Sequence, residues 1–367
     1  MSSQASVPSG HFFLPGPTEV RPEVSAAQTR QMIGHRGEAI RDLIAEIEGG
    51  LKRVFLTERP VVISTSSATG LMEAGVRNGV GAGRVLSLVN GAFSERFSRI
   101  SLDCGHETDV WDVEWGLAHD SDELAERLAG GGYDAVTLSQ SETSTGALQN
   151  LVAIAGVLSD HPETMLLVDS VTGVGGVEVR TDEWALDFVV TGSQKALALP
   201  PGLAFGVASE AMMERSKIAE RKGFYFDLIP LFQSLEKLET PATPAISLMY
   251  ALQVQLSRMK QEGIENRWAR HADMQRRTID WVDSLQDRGL DVGVFAAEGH
   301  RSPTVSCLTM PGGHGGLAVV AEMLERGWVI GAGYGRLEDS TIRIGHMGDH
   351  TLDELNDLLA VLGEVLA

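Results

Sequence analysis

Short apolar runs and amphipathic segments alternate through the middle of the chain. Between residues 61 and 208 the apolar runs are VVIS, RVLSLVN, DAVTLSQ, MLLVDS, DFVVTGS and LAFGVAS, and segments such as TGLMEAGVRNGV and SDELAERLAG separate them. Runs that are apolar at consecutive positions are typical of strands buried on both faces. The alternation predicts βαβ units, and therefore an α/β domain built on a mostly parallel sheet that helices cover.

The pattern changes on either side of this region. Before it, EAIRDLIAEIEG has apolar residues at helical spacing and predicts a helix that begins near Glu38. After the TPATP stretch at 240–244, a long helical region is followed by a mixture of short strands and helices, which is typical of a smaller α+β domain. We therefore predict an N-terminal arm over residues 1–20, a large domain over 21–245 and a small C-terminal domain over 246–367.

Composition excludes several classes of function. The 367 residues include 50 acidic and 30 basic side chains, and a net charge of −20 repels nucleic acids and anionic membrane surfaces. Cys104 and Cys307 lie far apart without CxxC spacing, and the histidines lack the spacing of metal ligands, so neither a disulfide framework nor a metal site is predicted. The sequence has no signal peptide and no apolar run long enough to cross a bilayer, so we expect a cytoplasmic protein.

One lysine stands in an unusual setting. Lys195 follows a strand-like run in VVTGSQKALALPPG and has apolar neighbours on both sides. A lysine that is desolvated in this way has a lowered pKa and becomes an amine nucleophile, as Schiff-base enzymes require. The alternative is a strand-end lysine that only binds a backbone carbonyl.

Two further features strengthen the chemical interpretation of Lys195. Asp169 ends the preceding apolar run, so a carboxylate and an amine are expected at the same edge of the sheet. Ser67, Ala68 and Thr69 lie where another strand gives way to a helix, and backbone N–H groups at a helix N-terminus bind anions, although ordinary helix capping would need the same residues. An amine, a carboxylate and an anion site together match the needs of pyridoxal phosphate.

The chain resembles the class V aminotransferases, which are fold type I enzymes that depend on pyridoxal phosphate, and within them the alanine–glyoxylate and serine–pyruvate aminotransferase group. The resemblance covers nearly the whole chain and implies a seven-stranded, mostly parallel sheet in the large domain. Its motifs are LPGPTEV (14–20), GHRGE (34–38), SSATG (66–70), NGAF (90–93), SETSTGALQ (141–149), VDSVTGVGG (168–176), GSQKALALPPG (192–202), TPATPAI (240–246) and RIGHMG (343–348).

This resemblance implies a set of cofactor contacts and a homodimer with shared active sites. Lys195 would form the internal aldimine, and Asp169 would pair with the pyridine nitrogen. Phe93, where many relatives have Trp or Tyr, would stack on the cofactor ring. The implied contacts are Ser67, Ala68, Thr69, Phe93, Thr143, Asp169, Val171, Gln194, Lys195 and Thr243, of which Thr243 is expected to reach the phosphate bound by the neighbouring subunit.

The substrate contacts implied by the resemblance are Gly16 and Arg343, whose planar guanidinium suits the α-carboxylate of an amino acid. The expected reaction moves the amino group of alanine or serine to glyoxylate or pyruvate. Phosphoserine, 2-aminoethylphosphonate or ureidoglycine as donor remains an alternative, and so does a lyase such as a cysteine desulfurase. The glycine-rich segment GAGYGR at 331–336 is expected to be a loop at the substrate entrance.

Overall fold

The computed structural model describes residues 7–312 and 314–367, so residues 1–6 of the predicted N-terminal arm lie outside the described residues. The helices are α1 (Pro22–Ala27), α2 (Glu38–Phe55), α3 (Ala68–Gly79), α4 (Ala92–Asp103), α5 (Ser121–Ala129), α6 (Leu151–Ser159), α7 (Glu210–Ile218), α8 (Leu228–Leu235), α9 (Ile246–Glu262), α10 (Ile264–Gln286), α11 (Gly316–Glu325) and α12 (Leu352–Leu366). The strands are β1 (Phe12–Phe13), β2 (Val61–Ser64), β3 (Arg84–Val89), β4 (Thr108–Asp112), β5 (Tyr133–Ser139), β6 (Ser141–Glu142), β7 (Ala147–Leu148), β8 (Met165–Asp169), β9 (Phe188–Gly192), β10 (Ala204–Ala208), β11 (Gly293–Val294), β12 (Val305–Thr309), β13 (Val329–Ala332) and β14 (Thr341–Gly345).

A seven-stranded sheet forms the centre of the larger core, in the order β2-β10-β9-β8-β5-β3-β4. Strand β10 is antiparallel to both of its neighbours, and the other pairings are parallel. The predicted α/β class with a mostly parallel sheet is therefore confirmed, and the six apolar runs of the sequence are β2, β3, β5, β8, β9 and β10. Because β2 and β9 are both antiparallel to β10, the carboxyl ends of β2, β3, β5, β8 and β9 lie at one edge of the sheet.

Strand β4 was not among the apolar runs identified in the sequence. Its residues, TDVWD, pair with β3 at the edge of the sheet, and only Trp111 among them is buried. Val110 and Asp112, on one face of β4, are exposed, so this strand is buried on one face only and needs no continuous apolar run. The spacing of Trp111 and Trp115 in VWDVEWG suits a bent strand or a turn, and the sequence favours a packing role for both side chains.

Helix α2 passes through Gly49 and Gly50 to Phe55 and packs against α9. A Cβ atom at Gly50 would lie 2.7 Å from a methyl carbon of Leu256, so the glycine allows the two helices to approach closely. The side chains of α9 accordingly belong to the larger hydrophobic core.

A second core lies around the five-stranded sheet β1-β13-β14-β12-β11 and includes side chains of α10, α11 and α12. Phe13 of the N-terminal segment is part of it, because β1 pairs in parallel with β13. In the described part of the chain, no helix is both long enough and apolar enough to cross a membrane.

Candidate functional site

A cavity lies at the end of the sheet where the carboxyl ends of the parallel strands meet. It brings together every predicted cofactor contact except Thr243. Its lining residues are Ser67, Ala68, Thr69, Met72, Phe93, Arg96, Ser141, Thr143, Asp169, Val171, Thr172, Gln194 and Lys195.

Lys195 follows β9 and points its amine into this cavity. The residue is only 8% exposed, and its Nζ donates a hydrogen bond of 2.5 Å to the carbonyl of Pro15. Burial lowers the pKa of Lys195 to about 8, and the positive charges of Arg343 and Arg96 act in the same direction. About one amine in ten is therefore neutral at pH 7, far more than for an ordinary lysine.

Gly16 lies directly against Lys195. Its φ of +118° is a conformation that L-residues with a side chain rarely adopt, and a Cβ atom there would overlap the lysine side chain. The glycine therefore leaves the space beside the amine open. Its predicted contact with substrate remains a prediction, but the geometry places it next to the reactive nitrogen.

Asp169, at the end of β8, is buried and held in one orientation. One carboxylate oxygen accepts a hydrogen bond from Ser139 Oγ at 2.8 Å, and the other accepts from the Val171 N–H at 3.0 Å. Burial raises the pKa of Asp169 to about 6 despite these two hydrogen bonds. A cationic group at this position would be stabilised, because it would offset the cost of the buried negative charge.

The N-terminus of α3, which also lines the cavity, suits an anion. Helix α3 starts at Ala68, and Ser67 precedes it without a side-chain capping bond. The first N–H groups of a helix have no partners within the helix, and the helix dipole adds positive potential there. The structure thus places the predicted anion-binding residues at a helix N-terminus that faces the cavity.

Phe93 lies in the first turn of α4, and a buried carboxylate holds that turn in place. Glu142 is fully buried and accepts hydrogen bonds from the N–H groups of Phe93 at 3.0 Å and Ser94 at 2.9 Å. Its other oxygen accepts from Ser144 Oγ at 2.6 Å. The Phe93 ring is thereby fixed with its centroid 5.8 Å from the Lys195 Nζ.

Arg343 lies on β14 at the border between the two cores. Its Nε donates to the carbonyl of Ala332 at 2.8 Å, and an Nη donates to the carbonyl of Thr143 at 3.3 Å. No carboxylate in residues 7–312 and 314–367 forms an ion pair with it. A guanidinium that is oriented by carbonyl groups, with burial lowering its pKa, retains its charge for an anionic substrate.

Thr243 lies apart from the cavity of its own chain. It is exposed and lines a separate groove together with Thr65, Phe224 and Tyr225. The structure therefore does not bring Thr243 to the other predicted cofactor contacts within one subunit.

Three residues of the site had no role predicted from the sequence: Glu142, Arg96 and Tyr334. Arg96 lies three positions after Phe93 on α4, and this spacing places the two side chains on the same face of the helix. The spacing could therefore have indicated Arg96 as a residue of the site. Tyr334 lies in the GAGYGR segment, which was expected to be a loop throughout but whose first two residues, Gly331 and Ala332, belong to β13. The Tyr334 ring stacks on Phe93 with centroids 5.2 Å apart. Glu142 is part of the SETSTG motif, but only the fold reveals its position under α4.

These residues fit pyridoxal phosphate. The cofactor carries an aldehyde, a ring nitrogen that binds a proton, and a phosphate. The cavity offers a buried amine of lowered pKa, a buried carboxylate of raised pKa, and a helix N-terminus. Lys195, Asp169 and the start of α3 would hold these three groups.

Comparison with known proteins agrees with pyridoxal phosphate as the cofactor. The family model for aminotransferase class-V matches residues 22–334. An uncharacterized aminotransferase of Methanocaldococcus jannaschii is 37% identical, and the match covers 92% of this chain and 87% of that protein. An L-aspartate–glyoxylate aminotransferase of Paracoccus denitrificans is 32% identical, and the match covers 96% of this chain and 88% of that protein. The crystal structure of an alanine–glyoxylate aminotransferase from Nostoc sp. has a TM-score of 0.91 at 29% identity, covering 100% of this chain and 98% of the other. Serine–glyoxylate and alanine–glyoxylate aminotransferases are also among the relatives.

Proposed function

The chain belongs to the class V aminotransferases, which depend on pyridoxal phosphate, and from this premise we propose that it transfers the amino group of alanine or serine to glyoxylate or pyruvate. The observation that carries the proposal is the placement of Lys195 and Asp169 in one cavity, beside the N-terminus of α3. Glyoxylate as acceptor is supported by the names of the Paracoccus and Nostoc proteins, although they name different amino donors.

The central residues of the site have separate proposed tasks. When bound, pyridoxal phosphate supplies an aldehyde that takes up an amino group and a ring that accepts the electron pair of the substrate Cα–H bond. Lys195 Nζ would hold the aldehyde and would accept the Cα proton as a general base. Asp169 would keep the ring nitrogen protonated, and Arg343 would bind the substrate α-carboxylate.

The remaining residues orient the ring and the phosphate. Phe93 and Val171 would enclose the cofactor ring, and Thr143 would contact its hydroxyl side. The N-terminus of α3 and Gln194 would bind the phosphate. In this proposal Lys195 must be partly neutral near pH 7, and its pKa of about 8 is consistent with that requirement.

The visible absorption spectrum of the purified protein tests the proposed reaction. We expect the band of bound pyridoxal phosphate to disappear when L-alanine or L-serine is added, and to return when glyoxylate or pyruvate is added. The two half-reactions would thereby be observed separately, without any coupled assay. A protein that takes up no pyridoxal phosphate, or whose band no amino acid changes, would contradict the proposal.

A cysteine desulfurase is disfavoured by the setting of its candidate nucleophile. Such an enzyme needs a mobile cysteine, whereas Cys307 is fully buried within β12, where it pairs with Arg343 of β14. Burial raises the pKa of the Cys307 thiol to about 11, so the reactive thiolate is scarce at neutral pH. Cys104 lines a different groove, away from Lys195.

We further propose that the active enzyme is a homodimer in which Thr243 contributes to the neighbouring cavity. Phe224 is 95% exposed and Tyr225 is 51% exposed, and both line the groove that contains Thr243. Clustered exposed aromatic side chains of this kind are typical of an interaction surface. Sedimentation equilibrium is expected to give twice the 39.4 kDa of the chain; a monomer that binds the cofactor and turns over substrate would contradict the dimer.

A further inference from the structure

Arg96 is a second cation at the mouth of the cavity. It lines the cavity that contains Lys195 and also a neighbouring groove. Its positive charge contributes to lowering the Lys195 pKa, so the two side chains interact electrostatically. The charge of Arg96 is thus available inside the site as well as at its entrance.

The guanidinium of Arg96 is held in place by two aromatic rings. Its central carbon lies 4.8 Å from the centroid of the Phe93 ring, and an Nη donates to the Tyr334 hydroxyl at 3.1 Å. Since these rings stack on each other, the arginine is fixed relative to the same surface that is proposed to cover the cofactor. A cation that is oriented before the ligand arrives binds an anion with a smaller entropic cost.

Arg96 has no carboxylate partner within ion-pair distance in the described parts of the chain. Glu95 and Asp112 line the same groove, but neither forms an ion pair with it. Its neighbour one turn further along α4, Arg99, is paired with Asp103 at 2.9 Å. In a protein with a net charge of −20, an oriented arginine without an acidic partner stands out as a binding group for an external anion.

Arg343 and Arg96 both lie against Tyr334. The central carbon of Arg343 is 5.4 Å from the Tyr334 ring centroid, and Arg96 binds the hydroxyl of the same residue. If Arg343 binds the α-carboxylate, as in the proposed function, then Arg96, at the hydroxyl of Tyr334, is left for a second anionic group. An amino acid with a single carboxylate would leave the second cation without a partner.

We propose that Arg96, together with the Tyr334 hydroxyl, forms a subsite for a distal carboxylate of the amino donor, so that the enzyme accepts a dicarboxylic amino acid as donor in addition to alanine or serine. This inference rests on the proposed function for the position of the α-carboxylate. The guanidinium fork would bind the distal carboxylate in a bidentate manner. Arg336 also lines the groove and adds positive potential near Arg96.

Substitution of Arg96 tests the subsite through a comparison of donors. In Arg96→Gln we expect kcat/KM for L-aspartate to fall about tenfold more than kcat/KM for L-alanine does, as for the loss of one charge-assisted hydrogen bond. The effect of Arg96 on the pKa of Lys195 acts on both donors alike and cancels in this ratio. Arg96→Lys, which keeps the charge but not the fork, should recover part of the loss. Arg99→Gln, on the same helix and groove, is the matched control and should treat both donors like the unaltered protein.

Calorimetric titration with succinate provides a readout that needs no turnover. The unaltered holoenzyme is expected to bind succinate at least about tenfold more tightly than Arg96→Gln does, whereas propionate should bind both proteins alike. An equal loss of activity with L-alanine and L-aspartate, or unchanged succinate binding, would overturn the subsite. A loss restricted to O-phospho-L-serine would overturn the assignment to a carboxylate. Absence of any half-reaction in the unaltered enzyme would instead contradict the proposed function, while the succinate titration would still test Arg96.

Discussion

Lys195→Ala is expected to abolish transamination while leaving the fold intact, with kcat reduced by at least about 10⁴-fold. The change removes the amine proposed both to hold the cofactor aldehyde and to move the Cα proton. The fold should survive, because the lysine amine has a single hydrogen bond, to the Pro15 carbonyl, and its burial is unfavourable for a charged group. Steady-state assays of the purified variant measure the loss, and circular dichroism checks the fold.

Two controls separate the chemical role of Lys195 from a structural one. Lys52→Ala alters a lysine that is paired with Glu48 on the surface of α2, and it should leave both activity and cofactor uptake unchanged. Added methylamine should restore part of the proton transfer in Lys195→Ala, because a small amine fits the space left beside Gly16. Undiminished activity in Lys195→Ala would show that another group performs the chemistry.

The hydrophobic pattern was sufficient for the core of the fold because that core is a parallel sheet. Strands such as Met165–Asp169 are buried on both faces and are therefore visible as continuous apolar runs. Strand β4 lacked this signal, since Val110 and Asp112 on one of its faces are exposed. The pairing of Phe12–Phe13 with Val329 and Ile330 also could not be predicted, because it joins segments at opposite ends of the chain.

The site was predictable where chemistry sets a residue type at the end of a strand. Lys195 and Asp169 each follow an apolar run, and the topology of a parallel sheet places such residues together. Arg96 and Glu142 were missed for different reasons. Arg96 lies on an ordinary amphipathic helix, where arginine is common, and Glu142 acquires its role only when α4 packs above it.

Asp169→Asn is expected to lower kcat by about 10² to 10³-fold, the size typical of removing one preorganised charge from an active site. Asparagine keeps the shape of the side chain, so Ser139 and the Val171 N–H should still orient it. It carries no negative charge to hold a proton on the cofactor ring nitrogen. Assays with L-alanine and glyoxylate measure the loss, and a variant with unaltered kcat would remove Asp169 from the mechanism.

The same substitution, Asp169→Asn, is expected to lower activity but to raise the stability of the cofactor-free protein near neutral pH. The pKa of Asp169 in the folded protein, about 6, lies above its ordinary value near 3.8, so the protonated form is favoured in the fold. The contribution of Asp169 is therefore most favourable below pH 4 and is lost as the pH rises to about 6, by roughly 2 to 3 kcal/mol. When the pH is raised from 4 to 7, the free energy of unfolding of the cofactor-free protein, measured with denaturant, should fall less for Asp169→Asn than for the unaltered chain. A variant that is less active and yet more stable without cofactor indicates that the buried charge is maintained for binding the cofactor, whereas equal pH dependence of the two proteins would show that Asp169 is not strained by its burial.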